Sequence, residues 1–204
     1  MNADALALAE ICRKDARSGL EKYLPRIVRC LQLLSEKEIW WRPNNASNAA
    51  GNIVLHLCGN IRQWIISGLG GEPDVREREK EFGERGPISR RMLIAQLKTT
   101  VGEACEIIDG LQEEALLQQF RIQGYDVSGL IAVLRVYEHF AYHAGQIMYV
   151  TKLKCGKDLR FTHLPVKKRS ELPENDERCP VTPTGAPRFE DPAANGALAS
   201  SVLA

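Results

Sequence analysis

Residues 129–154 read GLIAVLRVYEHFAYHAGQIMYVTKLK, and the stripe Ala132, Val136, His139, His143, Ile147, Val150 recurs along them at helical spacing. Ser128 supplies a cap in front of this stretch, and Gly156 a stop behind Cys155, so a helix is predicted over 129–155. Two histidines occupy positions of the apolar face. At i and i+4 their Cβ atoms lie about 5–6 Å apart, which lets both imidazoles reach one ion at ~2.0–2.1 Å from each nitrogen. Such a pair also arises by chance. Each histidine taken singly reads more simply as a core side chain with its ring nitrogens hydrogen-bonded.

Three further segments share the period. Leu20, Leu24, Ile27, Leu31 and Leu34 predict a helix over about 14–35, with Pro25 expected to kink it or to mark an irregular early turn. After a loop rich in asparagine and serine, a second helix is expected from about Asn48 to the Gly70-Gly71 stop. Ser89 caps a third, whose face is Leu93, Leu97, Val101, Ala104 and Ile108, with Gly110 past its end. No segment alternates convincingly with period two, so the fold class is all-α, a four-helix bundle. Residues 72–86 hold ten charged side chains in fifteen, which suits a solvated crossover between bundle ends, with a mobile lid over a site as the less favoured reading. Residues 111–127 read as a connection with room for local structure of its own.

Composition bounds the rest. Lys and Arg number 27 against 26 Asp and Glu, a net charge of +1, so no global field favours nucleic acid or an anionic membrane. No window approaches the roughly 20 apolar residues of a membrane-spanning helix, and the first twenty residues do not read as a secretion signal. The six cysteines form no CxxC pair, and several fall inside helical patterns, which fits reduced thiols in a cytoplasm. From Ser170 the chain holds five of its ten prolines and one aromatic, Phe189, so the expected division is a bundle domain over 1–169 and a disordered tail over 170–204.

The second helix adds a third histidine. His56 lies on the stripe Ile53, His56, Asn60, Gln63, so three of the four histidines face one core. A shared metal satisfies three buried imidazoles more readily than three unrelated hydrogen-bond arrangements. The stretches IVLHLCGNIRQW around His56 and YEHFAYHAGQI around His139 and His143, with their order and spacing, resemble the DinB/YfiT-like superfamily of metalloenzymes over about residues 14–165. The resemblance implies a four-helix bundle with a long crossover, His56, His139 and His143 as ligands, zinc or nickel as the ion, and often a homodimer. It also implies transfer of a low-molecular-weight thiol, such as bacillithiol, mycothiol or glutathione, to an electrophile.

Three imidazoles leave a fourth position on zinc open to water or substrate. Cys58 projects about 200° from His56 on a helix and is on the wrong face for that position. Asn60 and Gln146 either line the cavity or act as core amides. Glu138 points off the metal face, Tyr142 is a packing residue within reach of the rim, and Trp40, Trp41 and Trp64 are core or interface aromatics. His163 reads as a loop histidine. The leading function is thus a metal-dependent thiol transferase, the alternatives a metal-dependent hydrolase or a non-catalytic metal-binding protein of the same fold. Small-molecule thiol and electrophile are the expected partners, with no nucleic acid and no membrane.

Overall fold

Apolar side chains at three- and four-residue spacing need a common core, and the computed structural model, which describes residues 3–86 and 88–161, buries them between four long helices. In chain order the elements are α1 (Ala3–Leu33), α2 (Glu36–Ile39), α3 (Ala50–Ile61), α4 (Arg78–Gly83), α5 (Arg90–Gly110), α6 (Glu113–Leu117), β1 (Gln119–Ile122), β2 (Tyr125–Ser128) and α7 (Gly129–Cys155). The expected tail over 170–204, the domain limit at 169 and His163 lie outside the described residues.

Local signals account for most helix ends. The hydroxyls of Ser89 and Ser128 accept the N–H groups of Met92 and Ile131, each at 3.3 Å. Gly156, at φ 61°, donates to Lys152 O and closes α7 in the left-handed conformation a glycine adopts freely. At α3 the cap is Ala49 rather than Asn48, and the Asn52 side chain reaches back to accept the Ala49 N–H.

Two expectations require correction. α1 begins at Ala3 rather than near residue 14; its first three turns bury little more than Ala9 and leave Leu8 and Ile11 exposed, so no buried apolar period marks them in the sequence. That stretch is alanine-rich and helix-favouring, but shows no strong apolar stripe. Pro25 is therefore a mid-helix residue and not part of an early turn. Both it and Glu21, whose carbonyl it cannot serve as a donor, are exposed, so water can replace the missing hydrogen bond.

Contacts at the helix ends give the topology. Arg13 of α1 donates to Ile108 O, while Arg90 at the start of α5 donates to Leu34 O, so these two helices run antiparallel. Gly19 lies under Tyr137 and Cys155 reaches Leu33 O, so α1 and α7 run parallel. Trp40 packs on Gly51 and bonds Ile88 O at one end of the bundle, and Arg62 pairs with Glu103 further along, so α3 and α5 also run parallel. A parallel pair cannot be joined by a hairpin. The chain between α3 and α5 must return along the bundle, which makes residues 68–89 the long crossover.

Two irregular features lie beside it. After Ile61 the helix widens into a π-turn over Arg62–Ser67, a form that redirects side chains and recurs at functional sites. Within 111–127, β1 and β2 form a hairpin around Gln123 and Gly124, both at positive φ, with Ile122 and Val127 turned into the core. Strands of four residues are too short to show alternation, so the sequence gives no warning of them.

α1 and α7 approach closely at Gly19. A Cβ on Gly19 would overlap the Tyr137 ring. Helix propensity alone makes Gly19→Ala a gain of roughly 1 kcal/mol, whereas overpacking makes it a loss of about 1–3 kcal/mol. Denaturant melts should show a lowered midpoint; a raised one would mean the two helices are not in contact at this point.

Candidate metal centre

His56 is 6% exposed on α3, while His139 and His143 are half-buried on α7. The buried seam of α7 runs through Ala132, Val136, Phe140, Ala144, Ile147 and Thr151, so the two histidines flank it rather than belong to it. This displacement turns them toward a cavity. The imidazole centroids of His56 lie 4.9 Å from His139 and 5.0 Å from His143, and those two are 4.4 Å apart. One nitrogen from each ring can be chosen so that all three lie within 4.8 Å of one another, and Nε2 of His56 and His139 are 2.9 Å apart. Nitrogens bound at ~2.0–2.1 Å around a tetrahedral ion are about 3.3–3.4 Å from each other, so the cluster has the dimensions of a three-nitrogen site.

Hydrogen bonding orients two of the rings. The Glu81 carboxylate sits 2.9 Å from His56 Nδ1, with Arg76 Nη2 at 3.1 Å; the carboxylate is the closer and charged acceptor, so Nδ1 carries the hydrogen. Gln146 Oε1 accepts from His143 Nδ1 at 2.8 Å. Both rings then present Nε2 as a lone pair, as the outer shell of a histidine metal site requires. Burial, followed by the neighbouring His143 and His56, pushes His139 down to about 3, and burial lowers His143 as well. Neutral imidazoles are the metal-binding form, and the residues present fit a divalent ion.

The crossover supplies the carboxylate. Arg76 grips Glu81 through Nε to Oε1 at 2.7 Å and Nη2 to Oε2 at 2.8 Å, with both side chains at most a tenth exposed. Burial acts to raise the Glu81 carboxyl, but hydrogen bonds from Arg76 and His56 outweigh it and hold it below the usual range. The fully buried Asn52 donates to Glu81 O and Glu84 O, each at 2.9 Å, and accepts from Arg42, which also bonds Phe82 O. Phe82 covers the His56 ring at 4.7 Å. The expected solvated segment is therefore exposed over most of its length, as read from the sequence, but docked on α3 around Arg76, Glu81 and Phe82.

A cavity of about 490 Å³ opens from His56 and His139, with Asn60, Trp64 and Tyr142 among its walls. Asn60 thus lines the cavity, Gln146 orients His143, and Glu138 and Tyr142 stand at the exposed rim. Trp64 is a buried wall, stacked with Tyr125 of the hairpin, while Trp40 packs at the bundle end and Trp41 lies under Lys154. Cys58 is buried away from the cavity, its thiol pushed up to about 12 mainly by burial. None of the five described cysteines forms a disulfide.

Residues 9–168 match the family described as "Protein of unknown function (DUF1572)". The chain belongs to this family. Among solved structures it is similar to a conserved protein from Enterococcus faecalis (TM-score 0.58, 15% identity, 71% of this chain and 97% of that one). It is also similar to a DinB-like protein from Bacillus subtilis (0.54, 18%, 74% and 96%) and to one from Bacillus cereus (0.54, 17%, 67% and 87%). At these identities the likeness shows the fold, and the DinB-like bundle expected from the sequence is the fold found. No curated protein matches the sequence.

In this member of the family, Arg76, Glu81 and Phe82 are the site residues that sequence reading missed. One signal was present: Gly59, a glycine in mid-helix, where it weakens the helix by about 1 kcal/mol relative to alanine. A Cβ there would overlap the Glu81 carboxylate, so the glycine leaves room for that carboxylate to reach His56. Replacing His139 and His143 together by alanine should abolish stoichiometric divalent metal, measured by elemental analysis of untagged protein; full occupancy would refute the ligand set. Glu81→Gln should weaken metal binding by about 10–100-fold, and Gly59→Ala, which keeps both charges and only obstructs the carboxylate, should weaken it in the same direction. Chelator competition measures both, and unchanged affinity in the two variants would remove Glu81 from the outer shell.

Proposed function

We propose that the protein is a divalent-metal-dependent transferase that joins a low-molecular-weight thiol to an electrophilic small molecule, with His56, His139 and His143 holding zinc or nickel. The observation that carries this reading is a three-imidazole cluster beside a cavity whose lining, among the described residues, includes no cysteine. An attacking sulfur would then come from outside the chain. When bound, the ion would supply a positive charge that lowers the pKa of a thiol.

The protein's own groups have separate tasks. Glu81 and Gln146 hold two imidazoles in the tautomer that exposes Nε2, while Phe82 and Trp64 limit water around the rings. The thiol sulfur forms a bond to the electrophilic carbon, the leaving group departs with its bonding pair, and the S–H proton passes to water. Free cysteines suit a reducing cytoplasm, and no helix among the described residues is long and apolar enough to cross a membrane. A homodimer is part of the same proposal, supported by the exposed Tyr142, Tyr149 and Leu153 at spacings of seven and four on α7.

Metal-loaded and metal-free protein should be compared in conjugation of bacillithiol, mycothiol and glutathione to alkylating electrophiles. Conjugation should require the metal, fall to background in His56→Ala and persist in Cys58→Ser. Turnover of esters or amides with no thiol conjugation would make the protein a hydrolase instead.

A further inference from the structure

Two guanidinium groups in the cavity are unused by the fold. Arg135 on α7 and Arg78 at the start of α4 both line it, and neither makes a hydrogen bond or ion pair among the described residues. Their contacts are to rings: Arg135 Cζ lies 5.4 Å from the centroids of both Trp64 and Tyr125, and Arg78 Cζ lies 5.0 Å from Phe82. Stacking holds a guanidinium in place by its faces and leaves its N–H edge free, the edge that meets a carboxylate in a two-bond fork.

Charge in the cavity is unbalanced in the same sense. Arg76 is neutralised by Glu81, so two unpaired cations face one lining carboxylate, Glu138. A divalent ion on the histidines would add further positive charge. Beside the arginines the stacked Trp64 and Tyr125 offer an apolar, planar wall.

We infer that the cavity selects a small organic anion, whose carboxylate is bound by Arg135 and Arg78 while its reacting end faces the three histidines. The inference rests on the histidine cluster as the reacting centre, and it narrows the substrates to a carboxylate-bearing pair. The carboxylate can belong to the thiol or to the electrophile, since the same two groups recognise either.

Calorimetry on the full chain tests this with two matched pairs of probes. Phenylacetate against phenylacetamide carries the anion on a non-thiol, and 3-mercaptopropionate against 2-mercaptoethanol carries it on a thiol. In each favoured pair the carboxylate should bind at least about tenfold more tightly, the scale of a hydrogen bond to a charged group. The preference should vanish in the double variant Arg78→Gln, Arg135→Gln, which should melt within a few degrees of the wild type because both side chains are exposed and lose only ring contacts. Preference in the first pair alone assigns the subsite to the electrophile, and in the second alone to the thiol. Equal binding within both pairs, or a preference that survives the double variant, overturns the inference. Repeating the titrations without metal separates the two readings: carboxylate preference that persists while thiols bind no better with metal than without keeps the arginine subsite and sinks thiol transfer.

Discussion

Glu81 carries a negative charge into the packed side of α3, between Arg76 and His56, and the rest of the site is arranged around that charge. Removing an ion pair of this kind from water costs several kcal/mol per ion, which its mutual attraction and hydrogen bonds only offset. The pair is therefore weak as a source of stability and strong as a constraint. It fixes which His56 nitrogen holds hydrogen, and so which nitrogen faces His139. Gln63 accepts from Arg76, and Asn52 and Arg42 tie down the backbone around Glu81, so the charge is held by side chains as well as by its partner.

That constraint exists only because α3 and α5 run the same way. An antiparallel pair would need a short turn at one end, and no chain would pass His56. The parallel arrangement sends residues 68–89 back along α3, and a segment too charged to form core becomes a wall of the cavity. Gly59 gives the space, and the π-turn at Arg62–Ser67 sets Gln63 against the crossover and Trp64 against the cavity.

The hairpin completes the opposite wall. Gln123 accepts from the Trp64 indole at 3.2 Å, Tyr125 stacks on the same ring, and Arg135 lies over both. Two elements of different kinds thus meet on either side of one histidine cluster, the crossover bringing the neutralised charge of Glu81 and the hairpin the Tyr125 ring under the unneutralised Arg135 of α7. The first orients the cluster, and the second sets what can approach it.

How much of this was legible in the sequence follows from the range of each interaction. The four helices, the serine caps of α5 and α7 and the Gly156 stop depend on neighbours within a few residues, so spacing alone identified them. His56, His139 and His143 were legible for the same reason, since two share one helix face and the third lies on an inward stripe. The start of α1 was not, because its exposed first turns carry no apolar period. Nor were Glu81, Arg76 or Arg135 in their roles. Glu81 stands 25 residues from His56 in the chain, and a charged side chain in a charged segment looks the same whether it is solvated or docked. By itself the sequence determined an all-α bundle with three convergent histidines. Only the tertiary structure decided which charges reach them, because that depends on the path of the crossover and the placing of a four-residue hairpin, which no local pattern encodes.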